Sequence, residues 1–146
     1  MPKNVNRYYW LCQIGGWGFV GLFAIVANTT VLETNLALVM VYKFTAVFIV
    51  PGLITTHLFR KVIKSSGWLQ LPVEKALPKF VIGIVLTCVG CGLIRIGLVD
   101  VMGLVNSKKS TDFLAELTAS ASEYGIPVIP WTLIYYFYHY IENSRK

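Results

Sequence analysis

The chain has 146 residues, enough for one domain, and 55% of them are hydrophobic while only 14% are charged. Soluble domains average roughly 45–50% and about 25%, so the excess, gathered in long runs, excludes an ordinary soluble core and predicts an integral membrane protein. The net charge of +6 does not point to nucleic acid, because the cations sit at the ends of apolar runs and not in a stripe with interleaved aromatics; anionic membrane lipid is their natural partner.

In chain order, a polar arm with Lys3 and Arg7 leads into Tyr8-Tyr9-Trp10, the pattern of a water–lipid boundary. A first span is predicted at about residues 10–30, where twenty residues at about 1.5 Å each cover roughly 30 Å of hydrocarbon. A cleaved signal peptide is the rival reading, with Ala24-Ile25-Val26-Ala27 as the cleavage region, but the length of the run and its Trp, Gly and Phe favour an uncleaved span. Gly15, Gly18, Gly21, Ala24 and Ala27 recur every three residues and predict a face for close helix packing, with a dimer seam or ligand groove as the lesser reading. The connection Asn28–Asn35, with the turn Asn28-Thr29-Thr30 and Glu33, holds no Lys or Arg and belongs outside, making spans one and two an antiparallel hairpin.

A second span is predicted at about 36–59, continuing as an amphipathic turn to about Ser66, with a kink at Pro51-Gly52 and Lys43 roughly 10 Å below its outer end. Gly67 reads as a helix cap, Trp68, Leu69 and Leu71 as an interfacial segment, and Pro72 and Pro78 as openings of a short helix and of the next span. The loop 60–79 carries five cations, Arg60, Lys61, Lys64, Lys75 and Lys79, against the single acid Glu74. Positive loops stay in the cytoplasm, so this loop fixes the orientation. A third span at about 80–102 lines Gly83, Thr87, Gly90 and Cys91 along one face, with Arg95 again roughly 10 Å below the outer end and Asp100 close to it. The outer loop, 103–122, contains a turn at Asn106–Ser110 and a helix capped by Thr111 or Asp112 that carries Phe113, Leu114 and Leu117 and either lies on the membrane or extends the fourth span outward. The fourth span, about 124–140, is broken in its outer half by Pro127 and Pro130 and ends in an aromatic belt. The tail Ile141–Lys146 keeps helical composition with no stop signal, which predicts a helix that continues. Nine cations fall on the inner side and two, Lys108 and Lys109, outside, a strong positive-inside signal. The expected fold is therefore all-α, a polytopic antiparallel bundle of four transmembrane helices in a single domain, with both termini cytoplasmic.

Chemistry-bearing patterns are sparse. The sequence has no phosphate-binding glycine loop, nucleophile elbow or zinc-type His-Glu pair, so no catalytic or metal residue is assigned. Cys88-Val89-Gly90-Cys91 reads as small packing residues inside an apolar helix, and Cys12 lies in another apolar run, so no disulfide framework is implied. His57 and His139, at similar depth near inner helix ends, are weak haem candidates beside the plainer reading of hydrated interfacial histidines. Lys43 and Arg95 weigh more, because a cation at the centre of a span costs about 2.5–3.5 kcal/mol. Asp100 is five residues from Arg95, off its helix face, so pairing is expected between helices, with Asp100, Glu123 or Glu116 as the anion. Lys43, Arg95, Asp100 and Glu123 then form either a structural lock or a signal pocket, with the proline-broken fourth span as an adjustable wall.

Three stretches carry a family resemblance. They are Arg7-Tyr8-Tyr9-Trp10-Leu11-Cys12-Gln13-Ile14-Gly15-Gly16-Trp17-Gly18, then Thr56-His57-Leu58-Phe59-Arg60 with Gly67-Trp68-Leu69-Gln70-Leu71-Pro72, and Trp131–Lys146 with its Tyr135-Tyr136-Phe137-Tyr138-His139-Tyr140 run. Together the chain resembles the N-terminal four-span membrane domain of LytS/YehU-type sensor histidine kinases of the Bacteroidetes kind. The resemblance implies a sensory input domain of a two-component system in the bacterial inner membrane. It implies a homodimer that passes a signal through the fourth helix to a cytoplasmic kinase domain and its response regulator. ATP and Mg belong to that kinase domain, whose Pro-His-Phe-Leu-Phe-Asn box is not in this sequence; this chain itself is expected to be no enzyme and to bind no cofactor. The competing classes are a small transporter or carrier subunit, opposed by the lack of an inverted repeat and of a midplane acid, and a haem-binding electron carrier.

Overall fold

The computed structural model describes residues 4–31, 38–104 and 112–144. It is all-helical, with no strand among the described residues. Helix α1, Asn4–Val26, runs on into a π-helical turn, Ala27–Val31. Helix α2 is Leu38–Ser65, α3 is Val73–Val101 and α4 is Phe113–Ser144. Helices α1 to α3 are each long and apolar enough to cross a membrane. Helix α4 is longer, but Glu116, Glu123, its hydroxyl residues and its tyrosines make it less apolar.

Local chemistry explains the boundaries. The expected turn at Asn28-Thr29-Thr30 is instead a helical turn of wider, π-type winding, where each side chain bonds a carbonyl four residues back in competition with the backbone: Asn28 to Ala24 at 2.7 Å, Thr29 to Ile25 at 2.9 Å and Thr30 to Val26 at 2.7 Å. Gly67 ends α2 with φ +64°, a conformation natural to glycine. The segment read as interfacial, Trp68–Gln70, forms a single 3-10 turn that folds back under the bundle, Trp68 meeting Phe59 and Phe80 edge to face. Pro72 precedes α3, but Pro78 does not open a new helix; it lies inside the second turn, where the lost N–H leaves only the carbonyl of Glu74 without its usual partner. At the head of α4, Asp112 caps: its Oδ1 accepts from the N–H of Leu114 at 3.3 Å and its carbonyl from Glu116 at 3.1 Å. The expected outer helix and fourth span are thus one rod. The expected placements of Glu33, of Asn106–Ser110 with Lys108 and Lys109, and of the last two residues lie outside the described residues.

Neighbouring helices run antiparallel. Gln13 and Trp17 of α1 meet Thr56 and Gly52 of α2; Phe59 and Thr55 meet Gly83 and Cys91 of α3; Gly92 and Phe80 meet Leu117 and Tyr136 of α4. The predicted α3 face is observed, with Gly83, Thr87 and Cys91 buried and Gly90 half-buried against Thr55. The predicted α1 face is observed only at its far end, where Gly21 is buried against Ile49 and Ala24 and Ala27 are half-buried. Gly15 and Gly18 have nothing near the position of a Cβ, and the buried line is Tyr9, Gln13, Trp17 and Gly21. Aromatic and amide groups bury more surface and satisfy more contacts than a glycine stripe, so they take the packing face. The core divides into two clusters. One gathers Tyr9, Phe59, Ile63, Ala76, Phe80 and Tyr135; the other gathers Trp17, Cys88, Cys91, Tyr124 and Val128. Outside them lie broad exposed apolar faces, such as Leu11, Ile14, Phe19 and Phe23 on α1. Such faces suit hydrocarbon as solvent and are far too extensive for water.

Candidate functional site

The centre of the bundle is a break in the hydrogen-bond ladder of α2, which runs through Pro51 as one continuous helix. Pro51 has no N–H, so the carbonyl of Val47 loses its intrahelical partner. The fully buried Tyr124 of α4 supplies a hydroxyl there, donating to the carbonyl of Phe48 at 2.8 Å and lying 3.5 Å from that of Val47. Below the break, Thr55 and Thr56 return their hydroxyls to the carbonyls of Pro51 at 2.8 Å and Gly52 at 2.6 Å. Gly52 leaves room for the Trp17 ring, which occupies the space a Cβ would need. Three helices therefore meet on one weakened turn. Beside it the Gln13 amide donates to Thr56 Oγ1 at 2.6 Å, while its Oε1 is buried with no partner among the described residues.

Above the break, Arg95 of α3 pairs with Glu123 of α4. Their side chains are 26% and 53% exposed, so the pair sits at the rim. The guanidinium also lies 5.8 Å from the centre of the Phe48 ring, which stacks on Tyr124 at 4.5 Å and 6°. Arg95, Glu123, Phe48 and Tyr124 thus form one connected group joining α2, α3 and α4. Lys43 and Asp100 do not join it; both are exposed and neither makes an ion pair among the described residues. Glu116, the third candidate anion, is likewise exposed on the first turn of α4.

Below the break lies a site the sequence reading missed. Arg60, counted there as a loop cation, is buried at 8% exposure with its guanidinium 3.5 Å above the Tyr9 ring of α1. Tyr135 of α4 lies in the same buried cluster as Tyr9, its hydroxyl without a hydrogen-bond partner among the described residues. His57 Nδ1 and the Tyr9 hydroxyl are 3.1 Å apart, and Trp10 stacks on the imidazole at 5.7 Å. His139 packs edge-on against Tyr135 at 4.7 Å. The two histidines therefore belong to one aromatic cluster, each engaged by rings, and no group of three potential metal ligands occurs among the described residues. The missed signal was the register: Arg60 continues the line Gly52, Thr56, Phe59, Ile63 and so faces inward.

Pro127 and Pro130 lie inside α4, four and seven residues after Glu123, and Thr132 returns its hydroxyl to Val128 at 2.8 Å. Cys88 and Cys91 are buried free thiols, with Cys91 Sγ 2.8 Å from Thr55 Oγ1, in keeping with their reading as packing residues. No family model matches this chain, and neither does any curated protein or solved structure.

Proposed function

We propose that this chain is the membrane-embedded input domain of a LytS/YehU-type sensor histidine kinase, set in the bacterial cytoplasmic membrane as four spans with both termini in the cytoplasm. The observation that carries the reading is the junction of Glu123 and Tyr124. These adjacent residues of α4 tie the outer cation to the broken turn of α2. An anionic stimulus that competes with Glu123 for Arg95 frees the outer part of α4 and withdraws the hydroxyl that steadies α2. Two packings of similar energy then differ in their affinity for the stimulus, which is the only way a ligand can shift them. The fourth helix carries the difference to the kinase domain of the longer, dimeric protein, where ATP, Mg and the response regulator act.

Support for α4 as a span comes from its outward line Ile126, Ile129, Leu133, Ile134, Phe137 and Ile141, all exposed. That stretch extends about 22 Å, with tyrosines toward the basic end as an interfacial belt would have them. The orientation rests on the excess of cations in the loop between α2 and α3 and at the two termini.

The test has two stages. The intact mass of the native polypeptide is measured in its membranes, and then its autophosphorylation is followed with Tyr124→Phe and Glu123→Gln. A mass well above 16.4 kDa and a basal phosphorylation shifted by about 2- to 30-fold in the variants are the expected results. A mass of 16.4 kDa, or unchanged phosphorylation in both folded variants, removes the reading; uptake in proteoliposomes then becomes the next assay.

A further inference from the structure

A cleft of about 250 Å³ lies between α2 and α3, open to the side of the bundle. Leu58 and Val62 of α2 and Leu86 of α3 form its exposed walls, and Phe59 packed on Gly83 forms its back. Two threonines also face it, but their hydroxyls are already spent on their own helices: Thr55 on Pro51 at 2.8 Å and Thr87 on Gly83 at 2.7 Å. The lining therefore offers carbon almost throughout. At the basic end the cleft is floored by Trp68, in the 3-10 turn between the two helices.

Charge is arranged around that same end. Lys79, exposed, lies one turn before Gly83 on the lining face of α3, and Lys75 lies one turn further out. Lys61, also exposed, lies three residues after Leu58 on the flank of α2. A hydrocarbon slot that opens sideways and ends at an indole and a group of lysines matches one kind of occupant: a diacyl phospholipid with an anionic headgroup. The volume is below the roughly 300–1,000 Å³ typical of sites that enclose a small molecule. It suits a segment of one acyl chain, with the rest of the lipid left in the bilayer.

We infer that the α2–α3 cleft is a specific site for an anionic phospholipid of the leaflet at the basic end, one acyl chain lying against Phe59, Val62 and Leu86 and the phosphate held by Lys79 and Lys61. This rests on α2 and α3 crossing the bilayer and not on any kinase role. A lipid seated there bridges the two helices at the level of the Thr55–Cys91 contact, just below the break in α2. Binding therefore adds contacts to both helices beside that turn, so membrane charge becomes an input to the bundle separate from the rim around Arg95.

Trp68 makes the proposal measurable. The full chain is reconstituted in phosphatidylcholine vesicles containing brominated phosphatidylglycerol, or brominated phosphatidylcholine in equal amount. The fluorescence loss due to Trp68 is taken as the difference from Trp68→Phe. Greater quenching by the anionic lipid is expected. Lys61→Gln and Lys79→Gln should each lower the preference about fivefold, the usual worth of one cation near an anionic surface. Val62→Phe, which fills the slot from an exposed position, should reduce Trp68 quenching by both lipids. Equal quenching by the two lipids, or a preference unaltered in the double lysine variant, overturns the site. The exposed Trp10 serves as the control: if its quenching is lost as well, the membrane reading falls along with the proposal.

Discussion

Each end of the bundle holds a cation against α4, and the two are held in different ways. At the end away from the basic loop Arg95 is partly exposed and pairs with a carboxylate that is itself half open to the surroundings. Near the basic end Arg60 is buried and laid over the Tyr9 ring of α1, in the cluster that also holds Tyr135 of α4. A rim ion pair exchanges partners readily, because a competing anion offers Arg95 the same attraction that Glu123 does. A buried guanidinium laid on a ring offers no such exchange, since leaving requires Tyr9 of α1 to part from α2. The polar contact that can be traded therefore lies at one end, and the one that fixes the bundle lies at the other.

Mutations sharpen this contrast, and thermal unfolding in detergent, followed by size-exclusion fluorescence, reads it. The largest effect is expected for Gly83→Ala, behind the inner cluster. Its Cβ would enter the Phe59 ring, with Trp68 3.2 Å away on the other side, and overpacking of this kind costs about 1–3 kcal/mol. Arg60→Leu should follow at about 2 kcal/mol, the scale of a desolvated cation–π contact. Arg60→Lys should not rescue it, because an ammonium cannot lie flat on the ring. Arg95→Gln should cost least, about 0.2–1 kcal/mol as for exposed pairs. If Arg95→Gln unfolds the protein as readily as Arg60→Leu, both ends are structural and the contrast collapses.

Much of the architecture was legible in the sequence, because helix length and apolar runs are set by bilayer-scale hydrophobicity. The α3 face with Gly83, Thr87 and Cys91 was readable from small-residue spacing, and a pairing of Arg95 between helices followed from the cost of a lone cation, but the choice of Glu123 over Asp100 and Glu116 did not. The α1 face was misread for a physical reason: glycine spacing shows where a helix can be approached, not whether anything approaches. Trp17 and Gln13 took the inward face because Gly52 and Thr56 of α2 receive them. Arg60 was hidden by the habit of counting every cation in a positive loop as solvated, when α2 runs on through Ser65 and turns that residue inward. Lys43 was grouped with Arg95 by depth alone; depth does not encode the direction a side chain takes around the helix axis. That a donor is wanted near Pro51 was foreseeable, since an orphaned carbonyl in a span requires one, but the sequence does not say that Tyr124 of α4 comes there, between the carbonyls of Phe48 and Val47.

The position of the two prolines in α4 has one more consequence. Pro127 and Pro130 fall midway along Phe113–Ser144, leaving about 21 Å of helix on either side. The two prolines leave the carbonyls of Glu123 and Ile126 without their intrahelical donors, so two arms of equal length are joined where the rod's own hydrogen bonding is thinnest. Glu123, which pairs with Arg95, is itself one of those two positions.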